Sequence, residues 1–199
     1  MQLISSLVAL CVASAAFAAP GGSSYYPPGN NGGNGGNNGG NNGGNGGHPG
    51  CAPASQSVGF LRAYNPTIVD HFYTTSAPEM ANAVQHLGYS QEGAPGRVFT
   101  SQVQGTVPFY RAYQGTRHDH FYTTNEAEWN NAVANLGYSR EGISSYIYPT
   151  QICGSVPLYR AYQPNTVDHF YTTSEAEWNN AVNVLGYSRE GIAGYILPL

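Results

Sequence analysis

The chain has no lysine; seven arginines stand against eleven carboxylates among its 199 residues, for a formal net charge of −4. No basic footprint for a phosphate backbone exists, so nucleic acid is not expected as a partner. Past the first twenty positions no apolar run approaches the roughly 20 residues that span a bilayer, so membrane insertion is not expected. Cysteine is nearly absent too, with three residues, Cys11, Cys51 and Cys153. No N-glycosylation sequon occurs, since Asn65 is followed by Pro66.

Residues 1–19 combine an apolar stretch too short for a membrane span with small residues at Ala16-Phe17-Ala18, and read as a cleaved secretory signal peptide without a basic residue. Residues 20–50 are almost wholly Gly and Asn, a composition that cannot offset the entropy of ordering, and read as a disordered linker. Residues 51–199 remain for one compact domain. Removing the leader takes Cys11 with it, and in a secreted chain Cys51 and Cys153 are then expected to form one disulfide. The expected location is extracellular or in a cell wall.

What the domain has in abundance is repetition. Asp-His-Phe-Tyr-Thr-Thr occurs three times, its histidines at positions 71, 120 and 169, a spacing of 49 residues. Arg62, Arg111 and Arg160 keep the same register, as do Gly88, Gly137 and Gly186, and Glu92, Glu141 and Glu190. The repeats run 58–106, 107–155 and 156–199. Each begins with an alternating run, a turn built on Pro or Gly, and His-Phe-Tyr-Thr-Thr, which together predict a β-hairpin. Ser76, Asn125 and Ser174, each with Glu three positions on, are N-cap signals. In the second helix Trp129, Ala132, Val133 and Leu136 form one apolar stripe, closed by Gly137. Ile143–Tyr148 and Ile192–Leu197 predict a third strand. The fold class is therefore α+β and β-rich, three β-β-α-β repeats about a pseudo-threefold axis, closed in a propeller- or trefoil-like way, with an open linear stack as the alternative. Residues 51–57, outside the first repeat, are expected to complete the shorter last one.

Candidate chemistry is triplicated. His71, His120 and His169 could meet as metal ligands, but a histidine inside an aromatic strand is more often a hydrogen-bonded structural residue, so no metal and no cofactor is expected. Arg62, Arg111 and Arg160 are expected either to pair with Glu92, Glu141 and Glu190 or to line a pocket in each repeat beside histidine and tyrosine. Trp129 and Trp178 fall on the helix stripe and read as core, with Met80 in their place in repeat one. Tyr73, Tyr122 and Tyr171, with Tyr89, Tyr138 and Tyr187 after the helices, are the better ligand candidates. Arg97 replaces the Tyr146 and Tyr195 of its siblings, which marks repeat one as divergent. No unique carboxylate pair or nucleophile elbow is present, so catalysis is not expected.

The tracts Arg-Ala-Tyr, Asp-His-Phe-Tyr-Thr-Thr, Leu-Gly-Tyr and Glu-Gly resemble those of a secreted repeat family of unknown function known from fungi and bacteria, over residues 58–199. The resemblance implies an extracellular accessory role and carries over no catalytic residue; the leader and the Asn/Gly tract fit a fungal source. The expected function is a non-catalytic, lectin-like module binding carbohydrate or cell-wall glycan through several equivalent sites. A structural or protein-interaction protein is the alternative, and a hydrolase a third reading.

Overall fold

The structure, a computed structural model, describes residues 50–199; the expected leader at 1–19 and the Gly/Asn-rich tract at 20–50, save Gly50, lie outside the described residues. Three consecutive units share one element order. The first holds β1 (Ser57–Gly59), β2 (Leu61–Asn65), β3 (Asp70–Thr74), α1 (Ala77–His86), β4 (Ser90–Gly93) and β5 (Arg97–Phe99). The second holds β6 (Val107–Gln114), β7 (Asp119–Thr123), α2 (Glu126–Asn135) and β8 (Ser139–Ile147). The third holds β9 (Val156–Gln163), β10 (Asp168–Thr172), α3 (Glu175–Asn183) and β11 (Ser188–Ile196). In the first unit Pro95 and Gly96 interrupt what is one continuous third strand in the other two, because proline has no N–H to give the ladder.

The expected hairpins pair in register, Arg62 opposite Tyr73, Arg111 opposite Tyr122 and Arg160 opposite Tyr171. The third strands start earlier than the apolar runs predict. Gly142 and Gly191, at φ of 90° and 87°, accommodate bulges that keep the polar Ser-Arg-Glu stretch on the ladder. Each helix starts as predicted: Ser76, Asn125 and Ser174 accept from the amides of Glu79, Glu128 and Glu177. Gly137 follows the α2 cap at φ 77°.

The architecture is β-rich, with three small sheets and three helices. The sheets stay open, in orders β1-β5-β8-β6-β7, β3-β2-β4 and β10-β9-β11, so none closes on itself. Their third strands touch at the ends: Phe99 pairs with Tyr146, Tyr148 with Tyr195, and Leu197 with Arg97. Residues 54–57 form the turn that 103–106 and 152–155 form at the ends of units one and two, the Ser57 hydroxyl donating to the Ala54 carbonyl as Thr106 does to Val103 and Ser155 to Ile152, and Ala52 packs with Leu197 of the last unit. Within unit one β1 pairs with β5, fixed by Arg97 to Ser57, and Cys51 bonds to Cys153 with Cα atoms 5.5 Å apart.

The central core takes three residues from each unit: Phe60, Tyr73 and Val98; Phe109, Tyr122 and Ile147; Leu158, Tyr171 and Ile196. Each tyrosine hydroxyl there caps a neighbour's strand edge. The Tyr122 hydroxyl donates to the Tyr73 carbonyl at 2.7 Å and accepts from the Tyr73 amide at 2.9 Å. Tyr171 does the same to Tyr122, and Tyr73 to Tyr171. β3, β7 and β10 thus have the exposed polar edge of a terminal strand satisfied by side chains.

Replacing Tyr122 by Phe leaves one buried amide and one buried carbonyl without partners, so a loss of about 1 to 3 kcal/mol is expected in urea unfolding, with similar losses for Tyr73→Phe and Tyr171→Phe. Reducing the disulfide opens a loop spanning 102 residues. In the chain-entropy account that costs about 4 to 5 kcal/mol, read as a lowered melting temperature in reductant.

Candidate functional site

Three kinds of side chain meet at every boundary between units. The first is the aspartate that opens each second strand. Asp70 accepts the His120 amide at 3.0 Å and faces His120 Nδ1 at 2.7 Å, and the Tyr89 hydroxyl donates to it. Asp119 binds His169 and Tyr138 in this way, and Asp168 binds His71 and Tyr187. Adjacent Asp and His on one strand point to opposite faces, and each pairs across the boundary with the other unit's partner residue. Burial raises the pKa of Tyr89, Tyr138 and Tyr187, and the aspartates raise it further, which keeps all three hydroxyls protonated as donors.

The second is arginine between two glutamates. Arg111 forks onto Glu79 of the preceding unit at 2.9 and 3.2 Å, while its Nε lies 2.9 Å from Glu141 of its own. Arg160 joins Glu128 to Glu190, and Arg62 joins Glu177 to Glu92. The expected pairs with Glu92, Glu141 and Glu190 are present. The cross-unit partners Glu79, Glu128 and Glu177 were visible in the sequence only as helix caps.

The third is an aromatic stack. Tyr113 lies 4.5 Å from His120, which lies 4.8 Å from Phe72 of the unit before. Tyr162, His169 and Phe121 repeat this, as do Tyr64, His71 and Phe170.

Two of these boundaries open into grooves. One of about 520 Å³, between units one and two, is lined by Phe72, Glu79, Asn82, Tyr89, Tyr113, His118, His120 and Glu141 among others. One of about 280 Å³, between units two and three, is lined by the repeat equivalents Phe121, Glu128, Asn131, Tyr138, Tyr162, His169 and Glu190. Of the ligand candidates read from sequence, His120, His169, Tyr89 and Tyr138 line these grooves. Tyr187 and His71 hold the same places at the third boundary. Arg62, Arg111 and Arg160 are held by their glutamates, with side chains 13% exposed. Ligand roles for Tyr73, Tyr122 and Tyr171 do not fit the structure: all three are 0% exposed, and their hydroxyls are spent on backbone. Sequence reading passed over Phe72, Phe121, Tyr113, Tyr162, Asn82 and Asn131; the Tyr of each Arg-Ala-Tyr tract was the available signal.

Trp129 and Trp178 are core, 7% and 8% exposed, each stacked on a tyrosine of its own unit and covered by Arg140 or Arg189. Carboxylate oxygens of Asp70, Asp119 and Asp168 lie within 4.8 Å of one another, the one grouping with metal-ligand geometry found among the described residues. Each of these carboxylates is fully buried and already takes an amide, an imidazole and a phenol from the protein.

Burial alone would raise the pKa of Glu79, Glu128, Glu177 and Asp168, but their hydrogen bonds and charges from Arg111, Arg160, Arg62 and His71 outweigh it and lower all four. A carboxyl with a depressed folded-state pKa contributes stability above its unfolded value, near 4, that is lost as pH falls through the folded one. The urea midpoint should therefore hold at neutral pH and drop as pH falls below about 4 to 5. A midpoint that does not move across that window would contradict the assignment.

Residues 59–197 match the family model described as Domain of unknown function (DUF5648), and the chain belongs to that family. No curated protein and no solved structure matches the chain. Among the described residues no helix is long and apolar enough to cross a membrane.

Proposed function

We propose that this member of a family without an assigned function is a secreted, non-catalytic binding module for a hydroxyl-rich glycan, with the ligand seated in the grooves between units. The observation that carries the reading is the recurrence of one groove chemistry at two boundaries. In each, an aromatic wall of Tyr, His and Phe stands beside glutamate and asparagine oxygens. A sugar ring offers just this pair of surfaces, an apolar face to stack and hydroxyls to donate. The glutamates support binding over hydrolysis, since arginine holds Glu79 and Glu128 ionised and a general acid must carry a proton. The disulfide is compatible with an extracellular location.

The finer architecture belongs to the same reading. Unit three meets unit one through Asp168–His71, Arg62–Glu177 and Tyr73–Tyr171, the contacts that join the other units. That supports three units arranged in a closed ring about a pseudo-threefold axis, in place of an open stack.

A second reading, a structural or protein-interaction role, draws on Leu87, Leu136 and Leu185. These hold one repeat position and are 55–56% exposed.

The deciding measurement is binding of the full secreted chain to a glycan array and to insoluble chitin, glucan and peptidoglycan. Saturable binding is expected, weakened by Tyr113→Ala and Tyr162→Ala by about 1 to 2 kcal/mol each, the scale of losing an aromatic contact surface. No binding to any glycan sinks this reading and moves weight to the protein-interaction one.

A further inference from the structure

We propose that the groove between units one and two, and not its counterpart between units two and three, selects a sugar carrying a free amine, the repeating element of a 2-amino-2-deoxyhexose polymer. The inference rests on the glycan-binding reading above and narrows it to one boundary and one ligand charge.

The two grooves share their aromatic wall and their arginine–glutamate floor, so a difference between them must arise where the repeat breaks. Among the residues that line the first groove it breaks at three places: Asn65 against Gln114, Ile68 against Arg117, and His118 against Val167. In the first groove Ile68 and His118 line the space. At the second boundary Val167 is buried, 6% exposed. Arg117 stands close enough to Tyr162 that its charge works against the burial and carboxylates that raise that hydroxyl's pKa.

The charge balance follows. At the second boundary Glu128 and Glu190 share Arg160, and Arg117 holds the repeat position that Ile68 has at the first. At the first, Glu79 and Glu141 share Arg111 alone, and an isoleucine stands where the second cation would be. Glu141 touches Arg111 through Oε2 only; its Oε1 has no donor among the described residues, and the side chain is 29% exposed. His118 has its Nδ1 engaged by the Tyr113 hydroxyl at 3.0 Å, which leaves Nε2 as the ring position open to a ligand. An ammonium group brings three donors and one positive charge to a partly desolvated wall with one uncompensated carboxylate. The same surplus repels sugars bearing carboxylate or sulfate. At the third boundary Val69 stands where His118 does, so the imidazole is particular to the larger groove.

The test is calorimetry on the full secreted chain at slightly acidic pH with three oligosaccharides of equal length: glucosamine, N-acetylglucosamine and glucose. The glucosamine chain should bind about tenfold tighter than its acetylated twin, a preference that fades as salt screens the groove. Ile68→Arg installs the residue that unit two already carries at this place, and should abolish the preference of the amine over its acetylated twin. Glu141→Gln should remove the preference by a second route. Equal affinity for the amine and its acetylated form, or an Ile68→Arg variant that keeps the preference, overturns this inference and leaves the glycan-binding reading in place. No binding to any of the three sugars also overturns this inference, while the glycan-binding reading falls only if the array and the insoluble glycans stay unbound as well.

Discussion

A tyrosine hydroxyl of one unit bonded to the backbone of the next is the contact on which the rest of the architecture depends. A three-stranded sheet with one helix on it has too little apolar surface to stand alone and keeps a strand edge open. Tyr73, Tyr122 and Tyr171 address both deficits at once. Their rings fill the central core, and their hydroxyls satisfy an amide and a carbonyl on a neighbouring edge. Once the edges are joined in this way, Asp70 is brought to His120 and Arg111 to Glu79, and the grooves exist only because those groups face each other across a boundary.

The polar contacts are strong because they are doubly committed. Each arginine holds a glutamate of its own unit and one of another, with its guanidinium over a phenylalanine, as Arg111 lies over Phe72 at 5.5 Å. A planar, permanently charged fork suits that position and a lysine would not. The absence of lysine from the whole chain is thus consistent with cations used to join carboxylates rather than to decorate a surface.

Local structure was legible because its signals are local. Ser76, Asn125 and Ser174 announce the helix starts, and the strand tracts alternate or carry β-formers. The sites were less legible, since sequence order says nothing about which unit supplies a partner. Asp70 and His71 are neighbours in the chain, yet each bonds to a residue of a different unit, 50 and 97 positions away. Tyr122 reads as a ligand candidate by composition and is enclosed by tertiary contacts. Glu79 reads as the capping partner of Ser76, but the Ser76 amide bonds to Thr74 Oγ1, and the Glu79 carboxylate instead takes the Thr74 hydroxyl and Arg111 across the boundary. Unit one shows how far the pattern tolerates change: Met80 stands where the other units hold tryptophan, and Arg97, in a tyrosine's place, secures β1 through Ser57.

The pairing of Arg97 with Leu197 bears on how such a chain comes to be made. During synthesis unit one emerges before units two and three, while the residues that complete it, Asp168, Tyr171, Glu177 and Leu197, belong to unit three. Contacts of such sequence separation form slowly, because the long loop must close before they contribute. Unit one therefore waits, half-finished, for unit three, and a ribosome that stops before unit three releases a molecule with that interface still open.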